Sequence, residues 1–213
     1  MTVADPAHLW RVQLALECKA FDRAGRLMPV PCAHPDPLPT GYAVRYADGS
    51  TEIAFAATAP EWFVQQVSRA SVDEVVNRPE SMIQRLRDGG DQVVVDHFHT
   101  YSFDDALPSV QPPAIVREGP EAYACILAGQ RVAGASSSRS DDVAAELWIE
   151  TDPDHRRRGY ATKVARAWGA GVREAGKIAF YSHRHDNTAS AALARRLGVR
   201  PLFEIIALDL AHS

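Results

Sequence analysis

From residue 122 onward, the sequence admits one kind of order. Short apolar runs alternate with longer amphipathic ones, and glycines mark the breaks. Residues 122–127 and 132–136 flank Gly129-Gln130, which reads as a hairpin. Residues 145–151 read as a third strand. A long helix is expected over 159–175, stopped by Gly176. A strand over 177–182 follows, then a helix opened by Asn187 and ended by Gly198, then a final strand over 202–210. Hairpin, strand, helix, strand, helix, strand predicts an α/β (mixed α+β) fold, a mixed sheet with helices packed on it.

The first half is less regular. Asp5-Pro6 suits a helix start, with Leu9, Val12 and Leu16 along one face. Residues 42–46 and 52–56 flank Asp48-Gly49, a hairpin signal. Thr58-Ala59-Pro60-Glu61 and Ser71-Val72-Asp73-Glu74 both match a capping box, so two helices are expected after them. A third helix is expected over 79–87, stopping at Gly89-Gly90, and Val93-Val94-Val95 reads as a buried strand. Prolines cluster at 29–39, read as an irregular connector, and at 108–113, where a boundary is placed. The division is residues 1–108, an N-terminal region that either selects substrate or contributes to the core, and residues 109–213.

Of 213 residues, 46% are hydrophobic and 23% charged, which excludes a disordered or collagen-like chain. No apolar run is long enough to span a membrane, and residues 1–10 lack a basic start and apolar core, so no signal peptide is read there. Cys18, Cys32 and Cys125 have no metal spacing, and such a sparse, odd set suggests reduced thiols in a cytoplasm. Net charge is −4, but residues 151–200 carry 11 Lys+Arg against 4 Asp+Glu. So acidic a chain is a poor general nucleic-acid binder. The basic segment suits a small polyanion, or equally a solvated helix face.

The chemistry concentrates in Thr151-Asp152-Pro153-Asp154-His155-Arg156-Arg157-Arg158-Gly159-Tyr160-Ala161-Thr162. A strand, a cationic turn, then Gly at a helix start is a phosphate cradle. The first helical N–H groups have no internal partner, and the helix dipole adds positive charge there. A glycine keeps a Cβ out of the way. Neither a dinucleotide-fold nor a P-loop glycine spacing is present.

This segment resembles the GNAT acetyltransferase superfamily. Arg156-x-x-Gly159-x-Ala161 is similar to that family's Q/R-x-x-G-x-G/A coenzyme A loop. Asn187-x-x-Ser190-x-x-Leu193, running on to Gly198-Val199, is similar to its second motif. The resemblance covers about residues 114–210, and an N-terminal extension lies outside it. It implies a central mixed, mostly antiparallel sheet flanked by helices, with acetyl-CoA as acyl donor and no metal. Backbone amides of Arg157, Arg158, Gly159, Tyr160, Ala161 and Thr162 would hold the pyrophosphate, with Arg156 and Arg158 adding charge. Main-chain groups of Ile149 and Thr151 would pair with pantetheine. Asn187 would hydrogen-bond it at a splay between two strands, with Ser190 behind.

Acetyl transfer to an amine needs a base, a donor for the developing oxyanion, and an acid for the departing thiolate. Period-2 alternation puts Glu146, Trp148 and Glu150 on one strand face. The resemblance implies a glutamate base there, with Glu146 the first candidate and Glu150 the second. Relatives carry a Tyr acid seven residues after the Asn, where this chain has Ala194. Tyr181, Ser182, Tyr160 or solvent would have to substitute.

His97-Phe98-His99 places two imidazoles on one strand face, half of a metal site with no partner identifiable from spacing, and is read as strand-surface histidines. His183-Arg184-His185 follows the strand expected at the coenzyme cleft, where one ring would meet substrate or sit in an exposed turn. The expected function is acetyl transfer from acetyl-CoA to a primary amine of a small molecule or peptide. The other readings are a non-catalytic acyl-CoA sensor or scaffold and, less favoured, an ATP-binding regulator. The expected partners are the coenzyme and the amine, without nucleic acid or membrane. A homodimer stays open.

Overall fold

The computed structural model describes residues 5–32, 35–87, 93–103 and 115–210. It opens with α1 (Pro6–Leu16), β1 (Lys19–Phe21), β2 (Leu27–Pro29), β3 (Gly41–Tyr46), β4 (Thr51–Phe55), α2 (Glu61–Ser68), α3 (Val72–Asn77), α4 (Pro79–Arg87) and β5 (Val93–Ser102). Then come β6 (Ile115–Gly119), β7 (Ala122–Leu127), β8 (Gln130–Ser140), β9 (Ala144–Thr151), α5 (Tyr160–Glu174), β10 (Ile178–Arg184), α6 (Thr188–Leu197) and β11 (Arg200–Leu210). The fold is mixed α/β, its strand pairing mostly antiparallel. The described residues form two compact units, one up to Thr100 together with those from Leu202 on, the other Tyr101–Pro201. The boundary read from the prolines at 108–113 lies outside the described residues, as do Gly89-Gly90.

In the first unit the strand order is β4-β3-β11-β5. β11 belongs here because it pairs antiparallel with β3 over six positions, Phe203↔Tyr46 to Leu208↔Gly41. Asp5 caps α1 by accepting from the Ala7 amide, and Pro6 fills the first turn, as the sequence predicts. Helix α1 buries Trp10 edge-on to Tyr42 and Phe203, at centroid distances of 5.3 and 5.7 Å. Helices α2, α3 and α4 cover a second cluster, with Phe63, Val67, Val75, Met82 and Leu86 packed with Ile206 and Leu208. Ser71 caps α3 at the Glu74 amide. The Thr58 capping box is not formed. Pro60 is the N-cap of α2 and makes no side-chain bond, which leaves Thr58 two positions short of capping reach.

Two expectations are corrected here. The connector at 29–39 is not wholly irregular: Pro29 ends β2, which pairs with β1 through Lys19↔Pro29 and Phe21↔Leu27. That pairing draws Cys18 beside the start of the proline cluster, with the Val30 amide bonded to the Cys18 carbonyl at 2.7 Å. Cys18 and Cys32 close a disulfide, and the buried Cys125 is the free thiol. The reading of three reduced thiols is overturned, and with it the thiol argument for a reducing compartment. Closing a loop of this length is worth about 3 kcal/mol in the chain-entropy picture.

The second unit has strand order β10-β9-β8-β7-β6, all neighbours antiparallel except β9 and β10. Helix α5 buries Val164, Ala165, Trp168 and Val172 against this sheet, and α6 adds Leu193 and Leu197. Each large apolar side chain buried so contributes about 1.5–3 kcal/mol. That outweighs the roughly 1 kcal/mol each that Gly169 and Gly171 cost inside α5. Gly169 is needed, since a Cβ there would stand 2.5 Å from the Phe103 ring.

A polar knot joins the strand ends. Lys177 Nζ meets Glu121 Oε1 at 2.6 Å, Ser140 Oγ donates to the same oxygen, and Ser137 Oγ donates to Oε2. Trp168 Nε1 donates to Ser137 Oγ at 3.1 Å, tying α5 to the knot. Burial raises the Glu121 carboxyl, but the Lys177, Ser137 and Ser140 hydrogen bonds outweigh it and leave its pKa below the ordinary 4.5.

Two outcomes follow. Denatured but unreduced protein should release one thiol equivalent to Ellman's reagent, and three after reduction; three without reduction would contradict the disulfide. Because the folded Glu121 pKa is depressed, its contribution is present above pH 4.5 and fades as pH falls below it. Glu121→Gln should cost about 1–3 kcal/mol in urea unfolding at neutral pH, with the gap to wild type narrowing in acid.

Candidate functional site

Strands β9 and β10 pair in parallel at three positions, Ile178↔Ala144, Ala179↔Ala145 and Phe180↔Glu146. Both continue beyond the last pair, β9 to Thr151 and β10 to Arg184, without pairing further to each other. Main-chain N–H and C=O groups along this parting are obligate hydrogen-bonding groups. An extended ligand with its own amides can lie along such main chain as a strand would.

At the end of β9 the chain turns sharply. Asp152 accepts from the Asp154 amide at 2.9 Å and caps a single 3₁₀ turn, Pro153–His155. That amide bond, then the His155 hydrogen bond, lowers the Asp152 pKa. Arg156 is extended, and its Nε donates to the Thr151 carbonyl at 3.4 Å. Arg157 takes φ 61° and Gly159 φ 82°, so the turn contains two left-handed residues. Gly159 is the N-cap of α5, with no side-chain cap and no acidic residue in the first helical turn. The first in-helix acceptor bond runs from the Lys163 amide to Gly159 O, leaving the Tyr160, Ala161 and Thr162 amides as helix-end donors. Space beside Gly159 is open for 4 Å around a hypothetical Cβ. Arg156, Arg157 and Arg158 are exposed around it. The result is a basic, donor-rich mouth at the foot of the parted strands.

The expected site residues therefore lie on one unit. Ile149 packs partly buried against the core, so it offers its main chain, and Thr151 closes the strand. Tyr160 and Ala161 also pack against that core, which fixes the helix mouth. Asn187 caps α6: its side-chain oxygen accepts from the Ser190 amide at 3.0 Å. Its Nδ2 is thus the group it would offer a ligand.

The glutamates differ from each other. Glu146 sits at the last paired position, 6% exposed, with its carboxylate held by Arg139 across the β8–β9 register. Glu150 lies toward the open end, exposed and paired with Arg131. Trp148, between them, is 49% exposed. Ala194 is buried in the core and offers no proton.

Sequence reasoning missed Arg139 and Arg131; the short turn after Ser140, counted outward, would have set Arg139 opposite Glu146. It also missed that Tyr101, at the end of β5 and within the second unit, packs on the β10 side chains Tyr181 and His183 that the sequence offered as candidates. Tyr101 stacks on His183 at 5.6 Å and 23°, and Tyr181 stands 6.1 Å from His183. His183 Nδ1 lies 2.8 Å from the Arg184 carbonyl, which only accepts, so Nδ1 carries the proton and Nε2 is the basic nitrogen of the neutral ring. Tyr181 is 2% exposed and its hydroxyl donates to Ser190 O at 3.4 Å. Burial pushes the Tyr181 phenol up, the Ser190 bond opposes this, and Tyr101 adds to it. The phenol therefore stays protonated at neutral pH.

Residues 138–206 match the model of the FR47-like protein family. That segment holds β9, the arginine turn, α5, β10 and α6. Among solved structures, the chain is similar to an acetyltransferase of the GNAT family from Colwellia psychrerythraea (TM-score 0.50, 11% identity, 99% of each chain). It is also similar to a GCN5-related N-acetyltransferase-like protein from Streptococcus suis (TM-score 0.46, 17% identity, 82% of this chain and 85% of that one). A third is a GCN5-related N-acetyltransferase from Kribbella flavida (TM-score 0.42, 20% identity, 61% of this chain and 63% of that one). No curated protein matches the chain.

One pair of variants separates the two uses of Asn187. Asn187→Ala should lose about 1 kcal/mol of stability with the cap. Asn187→Asp keeps the capping oxygen and should melt near wild type. Equal destabilisation by both would contradict the cap.

Proposed function

We propose that the chain is a member of the GNAT superfamily, a reading supported by its fold and its FR47-like segment, and that it is an acetyl-CoA-dependent N-acetyltransferase acting on a primary amine. The observation that carries this reading is the join of two features: strands that part after three pairs, and a glycine-opened helix mouth with unspent donors at their foot.

The coenzyme would lie with its pyrophosphate on the amides of residues 157–162, where the helix end and three arginines favour negative charge. Its pantetheine amides would bond the main chain of Ile149 and Thr151 and the Asn187 Nδ2, with Ser190 behind. The thioester would then reach toward the last paired position. There the amine attacks the thioester carbonyl carbon, the carbon–sulfur bond breaks, and the thiolate leaves. Glu146 is the proposed proton acceptor from the amine, its carboxylate oriented by Arg139; Glu150 is the second candidate. Tyr181, buried and protonated, is the proposed proton donor to the thiolate in place of the absent family tyrosine. The amine is a small molecule or a peptide.

The alternative is a coenzyme-binding sensor without turnover, favoured by Ala194 in the usual acid position. Coenzyme A release measured with an amine panel separates them. Transfer should fall about 10²-fold or more in Glu146→Gln, with acetyl-CoA affinity kept. Unchanged turnover and pH profile in Glu146→Gln would remove its role, and tight binding without turnover on any amine would favour the sensor.

A further inference from the structure

The His97-Phe98-His99 alternation places both imidazoles on one face of β5, and the fold supplies the partner that their spacing did not show. β11 is the neighbour of β5 in the first unit, and it carries Glu204. The His97 Nε2 lies 2.6 Å from Glu204 Oε1, and the His99 Nε2 lies 3.9 Å from the same oxygen. The three ligand atoms all fall within 4.8 Å of one another. From these positions we propose that His97, His99 and Glu204 form a binding site for a borderline divalent cation of the zinc class.

The distances suit the chemistry. A tetrahedral ion with bonds of about 2.0–2.1 Å holds its ligand atoms roughly 3.3–3.5 Å apart. The carboxylate oxygen must withdraw under 1 Å from His97 and close about 0.5 Å on His99, both within side-chain rotation. Two imidazoles and one carboxylate are ligands that zinc accepts.

The surroundings fit as well. Arg45 bonds the other oxygen, Glu204 Oε2, at 2.5 Å, which turns Oε1 toward the histidines. Such an outer partner fixes a ligating carboxylate. The Arg45 charge is itself answered by Asp73 at 3.3 Å, and Asn77 accepts from its other donor face at 3.1 Å, so the cluster is not left with an uncompensated cation. The ligand side chains are 14–27% exposed, shielded yet reachable from solvent. This site lies apart in sequence from the proposed coenzyme residues and does not depend on the transferase reading.

The test uses the full chain, stripped with a chelator and titrated with Zn²⁺ alone, then with Co²⁺ as a coloured stand-in. Expected are one equivalent of Zn²⁺ by elemental analysis after desalting, a higher melting temperature with Zn²⁺, and visible absorption from tetrahedral Co²⁺. His99→Ala and Glu204→Gln should each weaken Zn²⁺ by at least about tenfold. His8→Ala, which removes an exposed histidine on α1, should not change it. His99 is the key variant, because at 3.9 Å it makes no hydrogen bond to Glu204 whose loss would unfold the site. No stoichiometric binding, or binding indifferent to His99→Ala and Glu204→Gln, would overturn the proposal and leave a His97–Glu204 hydrogen bond. Binding lost in His8→Ala would assign the ion to the surface instead.

Discussion

The candidate site depends on how briefly β9 and β10 stay together. Parallel strands usually keep pairing while both continue, because an abandoned N–H or C=O costs what a lost hydrogen bond costs. Here pairing stops at Phe180 and Glu146 while each strand runs on for several residues. Such an opening persists because the strands are fixed from their other sides. β9 is held by β8 through Thr151, and β10 by helices packed on its buried residues Ala179 and Tyr181. The two strands thus part beyond Phe180 and Glu146, and a peptide-like ligand can lie along the opening.

The turn at the end of β9 works with that gap. Asp152 starts it, two left-handed residues bend it, and Gly159 delivers the chain into α5 with its first amides facing out. The packing of Tyr160, Ala161, Val164 and Trp168 then locks the helix against the sheet. A flexible helix mouth would lose entropy on meeting a phosphate; this one is already ordered by its apolar face. Binding energy can then go to the ligand rather than to ordering the loop.

Much of this was legible in the sequence where the signal is local. The glycines at 159, 176 and 198 sit where positive φ is needed, and the structure uses each of them so. The helix over 79–87 and the hairpins at Asp48-Gly49 and Gly129 also followed from local rules. What escaped was long-range. β6 falls in a stretch of mixed polarity whose strand character comes only from pairing with β7. The disulfide depends on β1 pairing with β2, three residues each, too short to carry a period. Glu204 stands 107 residues from His97, so no spacing rule reaches it. At the site, Gly159 and Asn187 were readable as helix-end residues, whereas the Arg139–Glu146 pair shows only when β8 and β9 are counted outward from the turn that joins them.

Hydrogen–deuterium exchange on the full chain, with and without coenzyme A, tests the central claim most directly. The parted strands and the helix mouth should respond together. Amides of residues 147–151 and 181–184, and those of Tyr160 to Thr162, should slow on coenzyme addition, while α1 and β3 stay unchanged. Protection that appears elsewhere, or at the helix mouth without either strand, would show that the opening between β9 and β10 is not where the ligand lies.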